Sequence, residues 1–218
     1  MLESDKSTSF GLPVTFQYML IVFIVLLPAN PVFAQVAEFF DRFGEVLETG
    51  DFNGDGFSDL AVGVPWEGLE KAGVTDGAVN ILYGSDNGLN EEKDEFWHWD
   101  SYGVQGKTGG VLFGSALAAC DFNGDGFDDL AVGAKYDDTH AGSVNVLYGS
   151  ADGLTHIDDD FWNQSVGEIY GIVEPYDYFG SSLAAGYFDG GPYCDLAISA
   201  PGENLNGVDE AGIVHVLY

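Results

Sequence analysis

Positive charge is scarce in this chain: 6 Lys and Arg stand against 36 Asp and Glu, a formal net charge of −30 over 218 residues. A surface this acidic repels phosphate backbones and anionic lipid, which argues against nucleic acid as a partner. Long apolar runs are scarce too. Met19–Leu27 (MLIVFIVLL) is nine residues, too short to cross a bilayer comfortably as a helix. The four histidines, His98, His140, His156 and His215, are scattered with no metal-ligand spacing, and no G-x-S-x-G elbow is present. Acid pairs such as Asp158-Asp159 occur throughout, so a pair of carboxylates by itself carries no glycosidase signal. Only two cysteines occur, Cys120 and Cys194. They can form one disulfide in an oxidising compartment, but they fall at non-equivalent places in the repeat described below, which gives no reason for them to face each other.

What is present reads as a folded, all-β protein. Apolar residues make up 46% of the chain, too many for disorder even at this charge. Glycine is abundant, with 31 residues placed among short Val/Ile/Leu/Tyr/Phe runs, the pattern of many short strands joined by tight turns. The acidic excess has two readings that act together: solubility, including in salty surroundings, and carboxylates that hold cations.

Residues 1–34 read as a secretory signal peptide. The apolar run is followed by Pro28 and Pro31 and then by Val32-Phe33-Ala34, with cleavage expected after Ala34. The positive start is weak, because Lys6 shares the N-terminal region with Glu3 and Asp5; an uncleaved anchor is the alternative. Both place the remainder outside the cytoplasm, and no stable span is expected in the mature chain.

Self-similarity is the strongest signal. Asp51–Gly63 (DFNGDGFSDLAVG) and Asp121–Gly133 (DFNGDGFDDLAVG) match at twelve of thirteen positions, 70 residues apart. GAVNILYGS from Gly77 matches GSVNVLYGS from Gly142, 65 apart, which places a five-residue insertion in the first unit, around Trp66 to Asp76. Phe96-Trp97 matches Phe161-Trp162. A third unit begins near Phe179: FGSSL matches FGSAL at Phe113, DLAISA at Asp195 matches DLAVGA at Asp129, and GIVHVLY at Gly212 matches GSVNVLY. Each unit holds four strand-like stretches, in the second unit Gly114–Ala119, Leu130–Gly133, Ser143–Tyr148 and Asp160–Gln164, and none after the leader has helical periodicity. Four-stranded units in series predict β-propeller blades: blade 1 about 40–108, blade 2 about 109–175 and a partial blade 3 about 176–218, together spanning 36–218 as an incomplete propeller of two and a half to three blades.

Within the repeat lies a candidate metal loop. Asp51, Asn53, Asp55 and Asp59 occupy positions 1, 3, 5 and 9, and Asp121, Asn123, Asp125 and Asp129 repeat them. Alternation by two points the first three side chains to one side of a tight turn, and the backbone carbonyl at position 7, on Phe57 or Phe127, adds an oxygen. A set of hard oxygens without His or Cys favours Ca²⁺ over Zn²⁺, and its flexibility favours Ca²⁺ over Mg²⁺. An EF-hand would require Glu at position 12, where Val62 and Val132 stand. An Asx/Gly turn without metal is the alternative, less persuasive for two near-identical copies than for one. In the third unit positions 1, 3 and 5 are Tyr187, Asp189 and Gly191, so the segment Asp189–Asp195 is expected to bind metal weakly or not at all.

These residues resemble FG-GAP repeats, as found in the propeller of integrin alpha subunits and in bacterial surface proteins. The FG element is matched at Phe43-Gly44, Phe113-Gly114 and Phe179-Gly180, and the GAP-like element at Gly63-Val64-Pro65, Gly133-Ala134-Lys135 and Ser199-Ala200-Pro201. The resemblance covers about residues 40 to 218. It implies calcium-binding blades at a cell surface or in the extracellular space, acting in adhesion toward a protein or glycan ligand. The family's propeller closes with about seven blades, so the partial set predicts a truncated product, missing blades supplied by a longer chain, or self-assembly. The other functional class is the accessory propeller portion of a secreted hydrolase or phospholipase whose catalytic domain is absent here; a rigid spacer is a third. Aromatic stretches Phe96–Trp99 and Tyr170, Tyr176 and Tyr178 are candidates for a contact surface or, for the recurring Phe-Trp pairs, for blade packing.

Overall fold

The computed structural model describes residues 41–68, 75–99, 101, 103–106, 110–166, 169 and 171–218. The signal-peptide reading, part of the insertion loop and Tyr170 lie outside the described residues.

Every unit folds as an antiparallel sheet in chain order. The first comprises β1 (Val46–Gly50), β2 (Asp59–Val64), β3 (Ala78–Tyr83) and β4 (Asn90–His98). The second comprises β5 (Phe113–Cys120), β6 (Asp129–Ala134), β7 (Ser143–Tyr148) and β8 (Thr155–Trp162). The third comprises β9 (Leu183–Gly186), β10 (Asp195–Ala200) and β11 (Ile213–Leu217). The arrangement is all-β, in four-stranded antiparallel sheets with a three-stranded third, an incomplete β-propeller with no closed ring. The helix-like element among the described residues is one turn, Asp137–His140, interrupted by left-handed backbone at Asp138 and Thr139.

The fourth strand of the second sheet differs from the sequence expectation. It begins at Thr155, not Asp160, and ends at Trp162. A register shift between Val146 and Tyr148 brings Thr155 opposite Tyr148, so pairing starts one turn after the Asp152-Gly153 bend.

The sheets stack face to face, and the strands divide their side chains between successive cores. Along β6, Leu130, Val132 and Ala134 enter a core shared with Phe52, Val79, Ile81 and Phe113, while Ala131 points the other way into a core with Val144, Phe179 and Ile198. This is the period-two geometry of a strand covered on both faces, and it is why LAV is apolar throughout and VNVLY is apolar but for the buried Asn145. The close approach explains two glycines. A Cβ at Gly63 would lie 2.4 Å from the Gly114 carbonyl oxygen, and one at Gly133 would lie 2.2 Å from that of Gly180. The FG glycines of the second and third blades, Gly114 and Gly180, thus meet the GAP-like glycine of the preceding blade.

The recurring Phe-Trp pairs serve packing: Trp97 lies against the first core and Trp162 against the second. The cysteine reading needs correction. Cys120 and Cys194 form a disulfide, with Cα atoms 6.2 Å apart. Cys120 ends β5 and Cys194 precedes β10, so the bond ties the second sheet to the third. Their non-equivalence is the reason they meet: each joint sets the end of one blade's first strand beside the next blade's position 8. At the first joint the same places hold Gly50 and Asp128, where a Cβ on Gly50 would lie 3.1 Å from the Asp128 Cβ.

Candidate functional site

The loops Asp51–Asp59 and Asp121–Asp129 fold in nearly the same way. Asp51 Oδ1 accepts the Asp55 N–H at 3.0 Å and Oδ2 accepts that of Gly56 at 2.9 Å. Asn53 Oδ1 also accepts the Asp55 N–H, and Asp55 Oδ1 accepts the Phe57 N–H at 2.9 Å. The second loop repeats these bonds with Asp121, Asn123 and Asp125 on the N–H groups of Asp125, Gly126 and Phe127. Asp, Asn and Gly suit such a turn because short polar side chains bond their own backbone and glycine takes positive φ, here +67° at Gly54 and +77° at Gly124.

The position-9 acid is set deeper. Asp59 is fully buried; its Oδ2 accepts the Phe52 N–H and its Oδ1 the Gly84 N–H, both at 2.8 Å. Asp129 does the same with Phe122 at 2.8 Å and Gly149 at 2.9 Å. These acids therefore bind the loop to the start of the turn after the third strand, a role the sequence did not reveal. Burial pushes the Asp129 carboxyl up to about 6 against its backbone hydrogen bonds, with the charge of Asp125 adding to the rise. Burial raises Asp59 as well, and the charges of Asp55 and Asp51 raise it further.

The sequence-predicted ligands thus split into a surface group, Asp51, Asn53 and Asp55 with their second-loop counterparts, and a buried anchor, Asp59 or Asp129. Among the described residues, no three His, Cys, Asp or Glu side chains form a ready-made metal cluster. The donor chemistry nevertheless fits a hard cation. All side-chain donors are oxygens, and the acids at positions 1 and 5 are near enough to act on the acid at position 9. As folded, many of those oxygens accept backbone N–H groups. The part assigned to Phe57 and Phe127 is their backbone carbonyl; the Phe127 ring does something else, covering Gly54 of the preceding loop. Tyr193 covers Gly124 in the same way.

The third loop differs as expected at positions 1 and 5, where Tyr187 and Gly191 stand. Its position-9 acid survives: Asp195 is buried and accepts the Phe188 N–H at 2.6 Å. The acid at position 9 is retained where others are lost, which marks it as part of the blade architecture.

Beside the second loop lies an open groove of about 670 Å³ lined by Asp125, Tyr148, Asp152, Leu154 and Ile157 among others. The histidines do not converge. His140 stacks among Tyr136, Tyr176 and Tyr178, His215 lies near Phe179, and His156 lies near Trp97. No helix among the described residues is long and apolar enough to cross a membrane.

The pattern of one family, FG-GAP repeat, matches residues 43–82 and 113–147. The chain is 38% identical over 183 residues to the phosphatidylinositol-glycan-specific phospholipase D of Rattus norvegicus, covering 81% of this chain and 20% of that protein. It is 33% identical over 177 residues to integrin alpha-5 of Xenopus laevis, covering 80% of this chain and 15% of the relative. Integrin alpha-6 of Homo sapiens is 30% identical over 165 residues, covering 75% of this chain and 13% of the relative. The chain spans about a fifth or less of the length of these relatives.

Proposed function

This chain carries FG-GAP repeats, and from that premise we propose that it is a secreted binding module whose first two blades each hold one Ca²⁺. The ligands are Asp51, Asn53, Asp55, the Phe57 carbonyl and Asp59 in the first blade. In the second they are Asp121, Asn123, Asp125, the Phe127 carbonyl and Asp129. The observation that carries this reading is the twin fold of two acidic loops with all-oxygen donors. Calcium bound there neutralises carboxylates that otherwise repel one another. Asp59 and Asp129 transmit the order of each loop to the strands, because the same side chains bond the backbone on both sides of the turn. Secretion is supported by the leader at residues 1–34 and by the disulfide, which persists in an oxidising compartment.

The binding role, toward a protein or glycan at a cell surface, draws on the likeness to integrin alpha subunits. Isothermal titration of chelator-treated protein with Ca²⁺ tests the metal half. Two sites are expected, each stabilising the fold by roughly 1–3 kcal/mol at millimolar calcium, one lost in Asp51→Asn and the other in Asp121→Asn. No heat of binding and an unchanged melting curve would overturn it. Capture of glycans and matrix proteins with and without Ca²⁺ tests the binding half.

A second reading is favoured by the match to a phospholipase D: the blades are the accessory region of a longer hydrolase. Release of a lipid-anchored reporter by a longer chain containing these blades, and not by the blades alone, would support that reading.

A further inference from the structure

The two joints between blades differ at the end of the strands away from the acidic loops. At the first, Trp99 is buried at the start of the segment that connects β4 to β5 and lies against Gly106, with Asp137 beside it. Asn145, fully buried on β7, clasps that segment: its Oδ1 accepts the Gln105 N–H at 2.9 Å and its Nδ2 donates to the Gln105 carbonyl at 3.1 Å. At the second joint other residues fill the same places: Gln164 for Trp99, Glu203 for Asp137 and His215 for Asn145. Gln164 and Glu203 are 4% and 3% exposed, and the Gln164 amide donates to the Glu203 carboxylate beneath Gly171. An open cavity of about 440 Å³ adjoins them, with Gly171, Glu203 and Leu205 in its wall. Gln164 Oε1 and His215 Nε2 are both buried without a hydrogen-bond partner, so the Asn145 clasp is not repeated here among the described residues.

His215 gives this joint a response that the first lacks. An asparagine amide stays neutral at every pH, whereas an imidazole takes up a proton in the physiological range. The His215 ring lies 5.5 Å from that of Phe179, with Ile198 of β10 paired opposite it. Ile169 of the segment connecting β8 to β9 packs on the same core. From the second sheet that core is closed by Ala118, Ala131, Val144 and Val146, with Tyr148 at its margin. β9 and β11 carry no other ionisable side chain, and Asp195, the acid of β10, stands at the far end of its strand. The connecting segment carries Glu174, Asp177, Tyr176 and Tyr178, the last two against His140, and Glu203 follows β10. Burial is the one cause that moves the His215 titration, and it moves it down from 6.5.

We propose that the second joint carries an acid-released clasp: a proton on His215 frees the segment connecting the second and third blades, while the Cys120–Cys194 disulfide keeps the blades joined at the other end of β10. The two ends of that strand are held unequally. Cys194 precedes Asp195 and is covalently tied; Glu203 lies beyond Ala200, where the hold is one side-chain hydrogen bond beside two orphaned polar atoms. The sign follows from burial. The closed form binds the His215 proton less tightly than an opened form does. Closure is therefore fully favoured above about pH 6.5 and weakens below it, the open population rising by up to about tenfold per unit of pH. Asp177, in the same segment, acts with the opposite sign: burial holds its carboxyl up, so it favours the closed form in acid. The response of His215 is for that reason read against variants that change His215 alone. The freed segment carries Tyr176 and Tyr178, so the clasp sets whether those rings are held in place.

Hydrogen exchange of the full chain with its disulfide intact, compared at about pH 7.5 and about pH 5.5 and corrected for the intrinsic rate, tests the proposal. The expected result is faster exchange at the lower pH in residues 163–166 and 171–178, with β7 and the segment before β5 unchanged. His215→Asn supplies the residue that the first joint uses, and it is expected to exchange alike at both pH values. His215→Phe removes the titration in a second way, by an apolar ring, and is expected to do the same. Equal protection of the parent chain at both pH values, a loss shared equally by the two joints, or an acid response that survives in either variant would overturn the proposal.

Discussion

The two joints between blades are built on one plan and closed by different chemistry. At the first, Asp128 Oδ2 accepts the Asp51 N–H at 2.8 Å across the gap, and the Asp128 N–H donates to the Asp51 carbonyl at 3.1 Å. At the second, the Cys194 N–H donates to the Asp121 carbonyl at 3.4 Å, and the side chains that would make the other contact are a disulfide. The covalent link occurs where the incoming blade has lost the acids at positions 1 and 5 of its loop. The first joint unites two blades with complete loops and manages with a hydrogen bond. The disulfide takes over part of the anchoring of a blade whose loop has less to be ordered by.

That comparison is open to attack, first at the disulfide. Cys120→Ser with Cys194→Ser opens a covalent link between residues 74 apart in sequence and is expected to cost roughly 2–4 kcal/mol. Hydrogen exchange is expected to quicken in β9–β11 while β2 and β3 stay protected. Equal quickening at both joints would show that the disulfide serves the whole molecule and not the third blade.

The next effect concerns the buried position-9 acid of the first two blades. In chelator, the folded-state carboxyl of Asp129 is raised to about 6 from 3.8, so the folded form holds a proton more tightly than the unfolded chain. The stability this contributes is fully present below about pH 4 and is lost as the pH rises through about 6, a change on the order of 2–3 kcal/mol. Asp59 shifts the same way, chiefly through burial. A higher melting temperature at pH 5 than at pH 7.5 without calcium is expected, with the gap narrowing when Ca²⁺ is added. A metal-free protein that melts higher at pH 7.5 would show that the carboxylates are held ionised by the backbone N–H groups alone.

The smallest effect sharpens the first joint. Asp128→Ala removes one hydrogen bond to a backbone N–H, and about 1 kcal/mol of stability is expected to go with it, measured by urea melts. The same substitution made in the Cys120→Ser, Cys194→Ser background measures the coupling between the joints through the second sheet, where Cys120 pairs with Asp129 beside Asp128; additive losses are expected if each joint is held by its own contacts. Strong coupling would mean that the two joints open together.

The strands were legible because each has a short apolar run bounded by Gly, Asn and Asp. The third blade was legible from DLAISA and GIVHVLY despite its altered loop. The start of the fourth strand was misplaced because the three acids in THIDDDFW break its apolar pattern while still pairing through backbone, which composition does not report. The acids at positions 1, 3 and 5 were legible as one group because they are close in sequence. The anchoring role of Asp59 was not, since its second partner, the Gly84 N–H, is 25 residues away. The disulfide was not legible because non-equivalent places in the repeat gave no reason for the cysteines to meet, whereas neighbouring units touch at offset positions.

The amino-acid sequence by itself determined the repeat, its strands and the oxygen-rich chemistry of the loops, because each depends on residues within one hairpin. The tertiary structure alone decided which faces meet, why Gly63 and Gly133 cannot carry a side chain, and that Cys120 reaches Cys194. Those outcomes arise from stacking one sheet on the next at van der Waals distance, a relation between residues about fifty to seventy-five apart that no local pattern encodes.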